Sequence, residues 1–328
     1  MTKTVTGPVE QTARLCEQIL GEVEQVIVGK REAITTVLLG VLASGHILIE
    51  DLPGLGKTLL ARTFATVLGL DFKRVQFTPD MLPADLTGAM VLDLATGEAA
   101  FRPGPVFTQL LLADEINRTP PKTQAALLEA MGEGQVSMDG VTRRLPQPFV
   151  VLATDNPIEY EGTYELPEAQ LDRFLLRLSL GYLQAADETA MLQRRIERGK
   201  ENADLEPVTS AAELTAMRES LEGVEVSPDL LEYIVAIIRA TRAHPQIQVG
   251  SSPRGGLALV QLARAQAILN GRDYVLPDDI KRIAVPALAH RITLRPELWV
   301  RQVKADDVVA GLLDTVPVPA TDPAVSVG

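Results

Sequence analysis

The 328-residue chain predicts an α/β fold, with a central parallel sheet flanked by helices and an all-α part at its C-terminal end. Two observations carry that expectation. Apolar runs of strand length alternate with helical patterns in the first half: HILIE at 46–50, QLLLA at 109–113, FVVLAT at 149–154 and LLRLSL at 175–180. Runs that are apolar on both faces suit a parallel sheet covered by helices on either side. After Tyr182 the strand patterns stop, and only helical periodicity continues to about residue 314.

Each element has a local reason. Residues 9–27 read as an amphipathic helix, and a second helix runs to about Ala43. HILIE enters a Gly/Pro loop and then the helical stretch TLLARTFATVLG, which stops at Gly69. KRVQF at 73–77 alternates as a strand does. Hairpins are expected at 91–101, turning at Thr96–Gly97, and at 135–145, turning at Asp139–Gly140. PPKTQAALLEAM at 120–131 is a helix opened by proline, with Gly132 expected at its end. Further helices are expected at 187–199, 210–221, 228–243, 253–270, 277–290 and 304–314. These patterns divide the chain into an α/β domain at 1–184, a helical domain at 185–315 and a Pro-punctuated, aperiodic tail at 316–328, expected to be disordered.

Composition narrows the function. Apolar residues make up 46% and aromatics only 4%, so the core must be aliphatic. A net charge of −12 repels phosphate backbones and argues against a nucleic-acid partner. Cys16 cannot form an internal disulfide and reads as an inert buried thiol. His46, His244 and His290 are far apart and have no cysteine partners, so no metal cluster is legible. No apolar run approaches the ~18 residues of a membrane span, and the first residues lack a signal-like apolar stretch, which together predict a soluble, cytoplasmic protein.

The chemistry concentrates in two places. In EDLPGLGKT at 50–58 a strand runs into a Gly-rich loop and a helix, which makes a concave array of backbone N–H groups at a helix N-terminus. Pro53, Gly54, Leu55, Gly56, Lys57, Thr58 and Leu59 are the candidate ATP-binding residues. Lys57 supplies charge to the β/γ-phosphates, and the Thr58 hydroxyl suits Mg²⁺. The strict loop pattern fails at its first glycine, where Asp51 stands; aspartate tolerates left-handed backbone, so the turn is still expected. Downstream, an apolar strand ends in Asp114–Glu115, an arrangement that suits Asp114 as a Mg²⁺ partner and Glu115 as the group polarising an attacking water. Asn156 ends the next apolar strand, where it would reach the γ-phosphate and that water. Arg173 precedes the last strand. Arg254 sits in the first turn of a helix with Ser252 as N-cap and Pro253 at its first position. A cation there opposes the helix dipole unless an anion is near, and a bound phosphate would supply one.

These segments, together with VQFTPDMLPADLTG, FRPGPVFTQLLLADEINRTPPKTQAALLEAMGEGQV, PFVVLATDNPIEYEGTYELPEAQLDRFLLR and GSSPRG, resemble the MoxR family of AAA+ ATPases over roughly 30–315. The resemblance implies an AAA+ P-loop domain with a helical lid. Lys57 and Thr58 look like its Walker A pair, Asp114 and Glu115 like Walker B, and Asn156 like sensor 1. Arg173 resembles an arginine finger acting on a neighbouring subunit, and Arg254 resembles sensor 2. Val28 and Gly29 resemble residues that pack on adenine. The two hairpins resemble the helix-2 insert and the pre-sensor 1 insert, either of which would contact clients. The family further implies homo-hexamers, partners carrying von Willebrand factor A domains, and chaperone-like remodelling or maturation of proteins, including metalloenzymes. Two alternatives are a nucleic-acid or chelatase-type motor and a nucleotide-switched scaffold that does not hydrolyse.

Overall fold

The computed structural model describes residues 7–92, 98–138, 140–156, 163–200 and 204–319. The chain divides into two compact units, one built on residues 11–219 and the other on residues 220 onward with the start of the chain.

In the first unit, α1 (Pro8–Val26) and α2 (Arg31–Leu42) lead to β1 (Ile47–Glu50), α3 (Lys57–Val67) and β2 (Phe72–Gln76). The short α4 (Pro83–Thr87) precedes a hairpin of β3 (Gly88–Leu92) and β4 (Ala99–Pro103). Next come β5 (Leu110–Asp114), α5 (Pro121–Glu133), a second hairpin of β6 (Gln135–Met138) and β7 (Val141–Arg144), and β8 (Val150–Asp155). The unit ends with α6 (Glu168–Leu171), β9 (Leu176–Leu178), α7 (Ala185–Arg198) and α8 (Ala211–Ser220). Five strands form one parallel sheet in the order β2-β5-β8-β1-β9. β5 is buried along its whole length and β8 along all but its last residue, as their unbroken apolar runs require. Phe77, Leu111, Leu128, Val151 and Phe174 form part of the core, which is mostly but not wholly aliphatic. The register sets Gln76 beside Asp114 and Glu50 beside Asp155, so polar side chains collect at the carboxyl ends of the strands, where parallel α/β sheets bind ligands. Both hairpins form where the sequence places them; the Thr96–Gly97 turn and Asp139 lie outside the described residues.

The other unit packs α9 (Pro228–Ala243), α10 (Pro253–Leu269), α11 (Pro277–Leu288) and α12 (Ala305–Thr315) against one another. It also contains a feature that the helical periodicity did not predict. Strands β10 (Ile247–Val249) and β11 (Thr293–Leu294) pair antiparallel between the helices. The tail expected from residue 316 falls mostly outside the described residues.

The compact units divide at 219/220, downstream of the boundary at 184/185 read from composition. Composition registers where strands stop, but the next helices stay attached to the first unit. Arg194 of α7 donates to the Glu24 carbonyl (2.7 Å), Val208 N–H donates to the Val67 carbonyl (2.8 Å), and Arg218 of α8 donates to the Val41 carbonyl (3.0 Å). The helix α5 also runs through Gly132 and is capped by Gly134 in the left-handed conformation (φ 62°). Gly132 answers a different need: a Cβ there would collide with the Arg173 guanidinium.

Two buried titratable side chains behave as their surroundings dictate. Cys16 is fully buried, and burial pushes its thiol up to about 12, which leaves it unreactive. His46 bridges three elements: Nδ1 accepts from Val151 N–H (3.0 Å) and Nε2 donates to the Met131 carbonyl (3.0 Å). That pairing requires the neutral ring, and burial lowers its pKa to about 4. The unfolded imidazole titrates near 6.5, so the stability held by neutral His46 is complete above that pH and is lost as pH falls toward 4. The loss should reach about 2 kcal/mol by pH 5. Urea unfolding at pH 7.5 and 5.0 checks this, and the loss should shrink in His46→Asn. The comparison variant is needed because Asp155, pushed up to about 6, contributes with the opposite sign over part of the same range.

Candidate nucleotide site

The loop after β1 owes its shape to two glycines. Gly54 and Gly56 adopt φ of 82° and 87°, where a side chain would be strained although there is room for one. Gly56 then serves as the N-cap of α3, a helix without a side-chain cap or an acidic residue in its first turn. Lys57 begins that helix and is nearly buried. Its ammonium donates to the carbonyls of Asp51 (2.5 Å) and Asp155 (3.4 Å). Desolvation lowers the Lys57 pKa, and the nearby carboxylates of Asp51, Asp114, Asp155 and Glu115 oppose that shift. An uncapped helix N-terminus with a cation in its first turn is the electrostatic complement of a phosphate chain. Thr58 is half-buried beside it, while Pro53 and Leu59 are exposed and Leu55 is half-buried.

Asp51 is not a stand-in for glycine. Among the described residues the non-glycine positions with positive φ are Ser44, Glu115 and Gln302, so Asp51 does not use left-handed backbone. Its N–H extends the sheet ladder to the Asp155 carbonyl (3.1 Å). Its buried carboxylate accepts from the amides of Leu52 (3.1 Å), Leu180 (2.5 Å) and Gly181 (2.9 Å). The side chain thus fastens the loop after β1 to the chain leaving β9.

The carboxylate pair at the end of β5 is organised by Thr154 of β8, a fully buried residue. Its hydroxyl donates to Asp114 Oδ1 (2.7 Å) and accepts from Glu115 N–H (2.8 Å). Glu115 sits at φ 58°, ψ 53°, left-handed backbone that costs a residue with a Cβ roughly 1–2 kcal/mol. Its carboxylate is held by Gln76 Nε2 (2.7 Å) and Arg118 Nε (2.9 Å). Asp114 Oδ2 accepts from Arg74 Nε and Nη2 at 3.0 and 2.8 Å. Asn156 follows directly on β8 and is buried, its carbonyl accepting from Asn117 Nδ2 (3.3 Å). Its neighbour Asp155 has its carboxyl raised to about 6, first by burial and then by the Glu50 charge.

The first unit therefore gathers Lys57, Asp114, Glu115 and Asn156 around the carboxyl ends of β1, β5 and β8. Arg173 is exposed and docked elsewhere, on α5, where Nη1 donates to the Leu128 carbonyl (2.7 Å). Val28 and Gly29 form the turn between α1 and α2. Gly29 has φ 70°, and a Cβ there would strike Asp187 of α7. Arg254 is exposed in the first turn of α10 in the other unit, capped as expected by the Ser252 hydroxyl accepting from Arg254 N–H (3.2 Å). A Cβ on Gly255 would collide with Ser251 Oγ, which explains the small residue after Arg254. Sequence reasoning missed Thr154, Arg74, Gln76 and Arg118. For Arg74 and Gln76 the usable signal was the pairing of β2 with β5, since Gln76 lies opposite Asp114.

A Gly-rich loop between β1 and α3, a carboxylate pair closing the buried strand β5 two places away in the sheet, and an all-parallel sheet are the features of an α/β nucleotide-binding domain. Residues 46–176 match the ATPase family associated with various cellular activities (AAA), and residues 239–311 match the AAA lid domain. The uncharacterized protein YeaC of Bacillus subtilis is 47% identical over 303 residues, covering 92% of this chain and 94% of YeaC. Chaperone MoxR1 of Mycobacterium tuberculosis is 38% identical over 312 residues, covering 92% and 82%. A crystal structure of a candidate ATPase from Cytophaga hutchinsonii superposes with a TM-score of 0.88 at 39% identity, covering 95% of this chain and 97% of that one. This chain belongs to the MoxR family of AAA+ ATPases. Among the described residues no helix is long and apolar enough to cross a membrane.

Replacing Asp51 with glycine, the residue of the general loop pattern, should harm the protein. It would strip the acceptor from three amides, and urea unfolding should show a loss of at least about 2 kcal/mol. Fluorescent-ADP titration should show weaker binding in the same variant.

Proposed function

We propose that the chain hydrolyses ATP with Mg²⁺ at boundaries between subunits of a homo-hexamer, and that the cycle drives remodelling or maturation of a protein partner in the cytoplasm. The observation that carries the hydrolytic part is Glu115, held in left-handed backbone beside Asp114 at the edge where Lys57 opens the phosphate loop. The residues fit the group they are asked to hold. The uncapped N-terminus of α3 and the partly desolvated Lys57 suit the phosphates, while Thr58 and Asp114 would hold Mg²⁺. The ion would neutralise charge on the transferring phosphoryl group. Lys57 binds the β/γ-phosphates, Glu115 accepts the proton of the attacking water, and Asn156 orients that water. The water oxygen forms its bond to the γ-phosphorus as the bond to ADP breaks. Val28 and Gly29 take the adenine side of the nucleotide.

Arg173 and Arg254 are the proposed finger and sensor. The exposure of Arg173 suits a group that acts on a neighbouring subunit's nucleotide. The protein-remodelling reading is supported by a relative named as a chaperone, and the family resemblance points to partners with von Willebrand factor A domains. The two hairpins are the proposed client contacts. Among their described residues Met90, Val91, Leu92, Val141, Arg102 and Arg144 are exposed, apolar and basic side chains in a chain of net charge −12.

Glu115→Gln should bind fluorescent ATP like the parent protein while its turnover falls by a factor of roughly 100 or more. Retained turnover would remove Glu115 from the mechanism. Inactive Arg173→Ala and Lys57→Ala proteins should regain part of the ATPase activity when mixed, since a mixed ring contains junctions with both groups intact. Mixing without recovery would count against a finger supplied across the boundary.

A further inference from the structure

Every oxygen of Asp114 is already engaged by the protein. Thr154 donates to Oδ1, and Arg74 holds Oδ2 through two nitrogens at 3.0 and 2.8 Å. Arg74 also donates from Nη2 to Gln76 Oε1 (2.8 Å), and Gln76 Nε2 donates in turn to Glu115 Oε2 (2.7 Å). The Asp114 side chain is 11% exposed and that of Arg74 is 46% exposed, so the arginine reaches from the edge strand β2 over a nearly buried carboxylate. A buried carboxylate needs a counter-charge, and here the protein supplies one of its own.

We infer that Arg74 is a built-in substitute for the divalent cation, holding Asp114 until Mg²⁺–nucleotide displaces it and thereby setting the metal concentration the site requires. The inference rests on the reading of Asp114 as a Mg²⁺ partner. Two cations compete for one carboxylate, so each weakens the other's hold by the same factor. Arg74 binds Gln76 as well as Asp114, and its departure frees the Gln76 carbonyl oxygen next to Glu115. Metal arrival is therefore felt at the second carboxylate. Arg74 acts through Asp114 and Gln76 and is a positioning residue.

The test is the Mg²⁺ dependence of fluorescent-ADP binding at constant ionic strength, measured on the parent protein, Arg74→Gln, Arg74→Lys and Asp114→Asn. Thermal unfolding of each variant confirms that it is folded. Removing the competing charge from a partly screened pair should lower the half-saturating Mg²⁺ concentration by roughly fivefold in Arg74→Gln. Arg74→Lys keeps a charge without the fork and should fall between the two. A curve for Arg74→Gln that matches the parent's, or moves to higher Mg²⁺, overturns the proposal while leaving the metal site intact. An Asp114→Asn protein with the parent's Mg²⁺ dependence overturns the metal-site reading itself.

Discussion

A lysine ammonium at the edge of a folded core has to be compensated, and much of the candidate site follows from how that is done for Lys57. Gly56 starts the helix that carries it, and no side chain caps the N-terminus of that helix. Two main-chain carbonyls accept hydrogen bonds from it, and four carboxylates stand close enough to oppose the effect of desolvation. Those carboxylates come from β1, β5 and β8 and their immediate ends, so only a parallel sheet that brings three carboxyl ends together can assemble the arrangement. The protein's excess of acid is thus partly spent at this edge.

The second carboxylate, Glu115, shows how the sheet stores strain where chemistry is expected. Its left-handed backbone is unfavourable taken alone, yet Thr154 holds the amide from the neighbouring strand while Gln76 and Arg118 hold the carboxylate. Thr154 serves both members of the pair through one hydroxyl, so the position of Asp114 and the backbone of Glu115 are not independent.

Much of the sheet was legible because buried parallel strands must be apolar along their length, and the four apolar runs became β1, β5, β8 and β9 within about two residues of their expected ends. The cap at Ser252 was legible for an equally local reason. Features that depend on distant partners were not. Arg74 reads as the exposed phase of an alternating strand, and only the register of β2 against β5 turns it toward Asp114. Asp51 looked like a tolerated departure from glycine, whereas its carboxylate is an anchor for amides about 130 residues away. Gly132 looked like a helix stop, although its size answers to Arg173 crossing above it. Helices α7 and α8 carry the texture of one half of the chain while belonging to the other. In each case the pattern was local and the cause was a contact far along the chain.

The two hairpins have separate sequences and separate hydrogen-bond ladders, yet the Arg143 guanidinium lies 4.0 Å from the centroid of the Phe101 ring, which in turn meets Phe107 edge-on. A contact of this type is worth about 0.5–1 kcal/mol at an exposed site, or roughly a two- to fivefold bias toward joint over separate displacement. The two hairpins are therefore biased to shift together, and Gly134 alone separates β6 from α5, the helix on which Arg173 rests.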